Sequence, residues 1–127
     1  MKNKTITYFI SDGDNIKIGK TVYGNLYNRL STLQTGNVKP LTIELVIFSD
    51  VEYAFHRHYE RFRLNGEWFF LPTNYRNDVI QICNEKNWKF KTDFYKNMFS
   101  AYSLIKNIVT LERGIEDGMD RDLQDRL

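Results

Sequence analysis

The sequence predicts a small α+β domain: a mostly antiparallel three-stranded sheet in a ββαβα core, flanked by helices and followed by a helical C-terminal extension. Three observations predict it. The chain has 127 residues, the size at which one core organises one domain. Two β-rich runs separated only by a turn cluster open it, which is a hairpin pattern. A third β-rich run follows one short helical repeat, and all later periodicity is helical.

Taken in order, residues 5–10 (Thr-Ile-Thr-Tyr-Phe-Ile) are β-branched and aromatic with polar residues interleaved, and read as a strand. Ser11-Asp12-Gly13-Asp14-Asn15 is the turn, and Ile16-Lys17-Ile18-Gly19 the second strand of the hairpin. Leu26, Leu30 and Leu33 then recur at helical spacing, and Gly36 closes that helix. Residues 41–48 are apolar almost throughout, which suits a strand covered on both faces. Ser49 or Asp50 can cap a helix over 51–63 with Val51, Phe55, Tyr59 and Phe62 inward. Asn65-Gly66 breaks it, 67–71 is a short extended piece stopped by Pro72, and 74–86 is a helix with Val79, Ile80 and Cys83 on its core side. A last helix is expected over 94–112, with Met98, Tyr102, Ile105 and Val109 on one stripe, before a charged tail. The domain is therefore divided at 1–90, with 91–127 as the extension.

Composition narrows the function classes. With 42% hydrophobic and 15% aromatic residues the chain can bury a core. One cysteine, Cys83, excludes a disulfide framework and a Cys-rich zinc site, and fits a reducing cytoplasm. Two histidines, His56 and His58, are too few for a histidine-built metal cluster. No signal-like N-terminus and no membrane-length apolar run is present, so no membrane partner is expected. The net charge of +2 hides an asymmetry: residues 112–127 hold six acids against three arginines, leaving 1–111 with 15 basic and 10 acidic residues. That balance hints at a polyanionic partner.

Taken singly, Tyr8 reads as a packing residue, Lys17 as an edge charge and Arg29 as a solvent-facing helix residue. Glu67 is harder to dismiss. It lies between Gly66 and Trp68-Phe69-Phe70, where a bare carboxylate is costly unless it is exposed in a cleft, paired or bound to a cation. On a helix over 51–63, Glu52, His56, Tyr59 and Arg63 fall within roughly 60° of one another. Glu52 and His56 at i, i+4 can be a simple stabilising pair, or Glu52 can orient His56 as a proton relay. His58 points away from this flank.

Together, Tyr8-Phe9-Ile10, Lys17-Ile18-Gly19, Arg29-Leu30 and Gly66-Glu67-Trp68-Phe69 resemble the GIY-YIG nuclease superfamily. The similarity is to its branch of short, often phage-borne or viral proteins with Lys-Ile-Gly in the second motif. The helix series Glu52, His56, Tyr59, Arg63 and the run Leu33-Gln34-Thr35-Gly36-Asn37 match that branch too, and the resemblance covers about residues 5–71. Ile6 and Thr7 replace the residues that name the first motif, and Lys17 stands where the second usually has tyrosine.

The resemblance implies a metal-dependent endonuclease that hydrolyses phosphodiester bonds of DNA. Its catalytic residues would be Tyr8, Lys17, Arg29, His56 and Glu67, with Glu67 the metal ligand for one Mg²⁺ (or Mn²⁺). Lys20, Tyr23, Asn37 and Arg63 would contact substrate. The alternatives are a non-catalytic nucleic-acid-binding module of the same fold and an RNA-directed nuclease. The setting would be cytoplasmic, the host-cell interior for a phage or viral protein. The C-terminal helix offers a homodimer surface.

The chemistry gives these residues distinct tasks. A single carboxylate, with no second acid clustered near it in sequence, suits one metal ion rather than two. Arg29 offers a planar fork to a phosphate. Tyr8 is expected to accept the proton of the attacking water, with Lys17 lowering its pKa, and the reverse assignment stays open. This requires both on one face of the hairpin: Tyr8 opposite Lys17 or offset by two residues, since a one-residue slip separates them.

Overall fold

The hairpin forms where the β-branched residues place it: β1 (Thr5–Ser11) pairs antiparallel with β2 (Ile16–Val22). The computed structural model describes residues 2–92 and Phe94. After a 3-10 turn at Tyr23–Asn25 come α1 (Leu26–Thr35), β3 (Thr42–Ile47) and α2 (Glu52–His58). A second 3-10 turn (Glu60–Phe62) leads to β4 (Arg63–Asn65), β5 (Trp68–Phe69), α3 (Tyr75–Lys86) and β6 (Phe90–Lys91).

The sheet has six strands in the order β4-β5-β2-β1-β3-β6, every neighbouring pair antiparallel. This corrects the expectation of three. The expected strands are its centre, and β4, β5 and β6 widen it by three, two and two residues. Strands that short carry no alternation a sequence can display. The helix expected over 51–63 is also shorter, ending at His58. Its apolar series still packs inward, with Phe55 and Tyr59 buried and Val51 and Phe62 partly so, because the 3-10 turn keeps Phe62 on the core side. Arg63 therefore begins a strand and does not share a helix with Glu52 and His56.

Helices cover both faces. Tyr8, Ile6 and Ile10 point toward Leu26 and Leu30 of α1, and Phe9 points toward Phe55 of α2 and Val79 and Cys83 of α3. Two-sided covering explains why β1 is buried almost throughout, including Thr7. The Thr7 hydroxyl is satisfied: it donates to Ser49 O at 2.8 Å and accepts from Val51 N at 2.9 Å, fixing the approach to α2.

Strand β6 spans position 90/91, and the helix expected over 94–112, with its proposed dimer surface, lies outside the described residues. Among the described residues no helix is long and apolar enough to cross a membrane.

Candidate active site

The β1–β2 register pairs Tyr8 with Gly19 and Ile10 with Lys17. Tyr8 and Lys17 thus share the α1 face with an offset of two residues, as the chemistry requires. Gly19 is the seat of Tyr8. A Cβ at Gly19 would collide with the Tyr8 hydroxyl and stand 2.9 Å from Cε1 of its ring. The glycine of Lys-Ile-Gly is therefore a steric requirement, and the signal was its position directly opposite the tyrosine.

Glu67 reaches the same face from the β4–β5 hairpin. Asn65 pairs with Trp68, leaving Gly66-Glu67 as a two-residue loop. Gly66 has φ +56°, the first position of a type II′ loop, where glycine is favoured. Glu67 O accepts from Ile18 N at 3.0 Å, which locks the loop to β2 between Lys17 and Gly19. The Glu67 carboxylate pairs with the Lys17 ammonium, Nζ to Oε1 3.2 Å, with side-chain exposures of 39% and 15%. The same ammonium stands 5.7 Å from the centre of the Trp68 ring.

Tyr8 is fully buried and its hydroxyl has no hydrogen-bond partner. Burial pushes its pKa up to about 12, opposed by the Arg29 guanidinium and reinforced by Glu67 and Glu52. Arg29, exposed on α1, is close enough to lower the phenol's pKa by its charge and by a hydrogen-bonding approach that falls short of full hydrogen-bond geometry. Glu52 is a residue that sequence reasoning assigned only to His56. Burial first, then the Glu67 carboxylate, raise its pKa above the ordinary carboxylate value, while His56 and Lys20 pull it down. Glu67 thus acts on Glu52 through its charge, an influence that sequence spacing did not suggest. The two acids come from α2 and the β4–β5 loop, 15 positions apart, and only the fold brings them together.

His56 does something other than relay protons. Its Nε2 donates to Ile18 O at 2.8 Å, since a carbonyl can only accept, so Nδ1 is the acceptor for Arg63 Nη2 at 3.3 Å. Both ring nitrogens are occupied, leaving neither for Glu52 or a reacting water. In this arrangement His56 positions the brace, and the Glu52–His56 relay has no hydrogen bond here to carry it. Arg63, expected on substrate, is likewise spent inside the chain. It donates to Gly66 O at 2.6 Å, lies 5.1 Å over the Phe69 ring, and places Nε 3.1 Å from Glu60 without hydrogen-bond geometry. Ile18, His56, Arg63 and Gly66 form a brace that joins the strand carrying Lys17 to the loop carrying Glu67.

Of the other expected substrate contacts, Tyr23 packs against the α1-face cluster, and Lys20 and Asn37 are engaged elsewhere. Lys20 pairs with Thr7 across the hairpin, hence points to the opposite face, and binds Asp50 at 3.3 Å. The Tyr23 ring packs tilted against Phe48, centroids 5.4 Å apart. Asn37 donates to Leu33 O at 3.2 Å and finishes α1. The structure gives each a local structural task.

The donor set fits a hard divalent cation. Glu67 is partly exposed and Glu52 adds negative charge nearby, while the Lys17 ammonium holds one Glu67 oxygen that a metal ion would have to contest. Among the described residues no three His, Cys, Asp or Glu side chains gather, so such an ion would keep most of its waters, as Mg²⁺ does.

No curated protein and no solved structure matches the chain. A family model does: the T5orf172 domain matches residues 5–88, a span running from β1 through α3 and containing every residue of the site. On that match the chain belongs to the T5orf172 domain family.

Proposed function

We propose that the chain is a divalent-metal-dependent endonuclease that hydrolyses phosphodiester bonds of DNA, with one Mg²⁺ or Mn²⁺ held at Glu67. Membership of the T5orf172 family is consistent with a nuclease-like or nucleic-acid-binding module. The observation that carries the reading is convergence. A phenol, an ammonium, a guanidinium and a carboxylate meet on the α1 face from β1, β2, α1 and the β4–β5 loop. Their resemblance to the GIY-YIG set supports the same reading.

When bound, the cation would neutralise charge on the phosphoryl group and help the leaving oxygen. The chain's own residues do the rest. Arg29 offers two parallel donors to the phosphate oxygens from α1. Tyr8, unpaired and aimed at the same region, accepts the proton of the attacking water once positive charge near its oxygen offsets burial. Lys17 as an ammonium supplies part of that charge; to take the proton itself it would first have to give one up. Because the Tyr8 hydroxyl is buried here, the charged side chains on that face must part for substrate to reach it.

That burial is also what favours the second reading, a non-catalytic nucleic-acid-binding module in which Tyr8 is a core residue. Cleavage of supercoiled plasmid with Mg²⁺ or Mn²⁺, run beside Glu67→Ala and Arg29→Ala, separates the two. Nicking by the wild type that both substitutions abolish is expected. Retardation of plasmid and single strands without cleavage contradicts the nuclease.

A further inference from the structure

We infer that Lys17 is a resident cation that a divalent ion must displace from Glu67, so that metal loading releases the Lys17 ammonium beside Tyr8. The inference rests on the proposed metal site at Glu67 and goes beyond it, because it makes the resting ion pair a gate on assembly of the site.

The pair has the features such a gate needs. Lys17 Nζ lies 3.2 Å from Oε1, and Glu67 is the acid with which Lys17 forms an ion pair among the described residues. The lysine is the less exposed partner, its ammonium beside the Trp68 ring, so it cannot exchange Glu67 for bulk water without moving. The backbone is fixed on both sides, Lys17 within β2 and Glu67 by its carbonyl at Ile18 N and the Arg63 contact to Gly66, so the exchange is made by the two side chains alone. Positive charges repel at this range, so a divalent ion entering at Glu67 and Lys17 in its present place exclude one another. The residues offset by two on the same face are Tyr8 and Gly19, where a buried hydroxyl lacks a partner. Gly19 leaves no side chain between Lys17 and that hydroxyl.

Thermodynamic reciprocity gives two independent readouts. If Lys17 competes with the metal, then removing its charge tightens metal binding, and adding metal loosens Lys17. In calorimetric titration, Lys17→Met is expected to bind Mn²⁺ about tenfold more tightly than wild type, with Glu67→Gln losing binding. In the wild type, with no substitution to disturb folding, Mg²⁺ is expected to speed acetylation of Lys17 several-fold, followed by mass spectrometry. Lys39, paired with Asp14 away from the site, serves as the unchanged control. Wild-type affinity in Lys17→Met, or Lys17 acetylation indifferent to Mg²⁺, overturns the inference while leaving the metal site standing. Mn²⁺ binding that Glu67→Gln does not weaken removes the metal site itself, and the proposed reaction with it.

Discussion

A single methyl group separates the hydrogen of Gly19 from a collision with Tyr8. Gly19→Ala must push the tyrosine ring out of a packed layer or bend β2, and overpacking of this kind costs about 1–3 kcal/mol. Urea denaturation should show that loss; an unchanged midpoint would mean that the ring moves freely. A second residue-scale prediction concerns Asp78, which accepts from Tyr59 Oη at 2.6 Å and pairs with His58 Nε2 at 2.9 Å. Burial raises its pKa, but those two hydrogen bonds outweigh burial and hold it below the ordinary carboxylate value. A depressed native pKa contributes stability that is present above the unfolded value and lost as pH falls through the native one. The acid limb of the stability curve should flatten in Asp78→Asn, modestly, since the carboxylate is partly exposed. Tyr8, Lys17, Arg29 and Glu67 were all legible in the sequence as candidates. Glu52 was visible only as a neighbour of His56, because charge proximity across the fold leaves no mark on spacing.

At the scale of elements, the β1–β2 hairpin was readable because alternation over seven-residue strands fixes which side chains share a face. The β4–β5 hairpin was half readable: Asn65-Gly66 marked the turn, but the apolar series from Val51 to Phe62 disguised the end of α2. The cost of that disguise was Arg63, placed by helical periodicity on a substrate-facing flank and found bracing Gly66 instead. Lysine cannot span Gly66 O and His56 Nδ1 with a rigid fork. Arg63→Lys should therefore leave one of two acceptors, exposed Gly66 O or half-buried His56 Nδ1, without its partner, lowering stability by about 0.5–1.5 kcal/mol and loosening the loop that presents Glu67. Weaker Mn²⁺ binding together with the lowered denaturation midpoint is the expected signature. Unchanged metal affinity would show that the brace is not what positions Glu67.

Residues 2–92 form a sheet covered on both faces, with Lys17, Arg29 and Glu67 where α1, β2 and the β4–β5 loop approach each other. Its centre was legible because long apolar runs and hairpin turns are local signals; its edges were not, because two-residue strands exist only through their partners. The central claim is that Tyr8 is retained for chemistry and not for packing, and its hydroxyl tests this directly. Deleting a buried, unpartnered hydroxyl removes a desolvation penalty of about 1–3 kcal/mol, so the fold should not suffer. The measurement is single-turnover DNA cleavage by Tyr8→Phe beside its urea midpoint. A midpoint at or above that of the wild type is expected, with cleavage reduced to the level of Glu67→Ala. Wild-type cleavage by Tyr8→Phe would contradict it and leave Tyr8 a core residue.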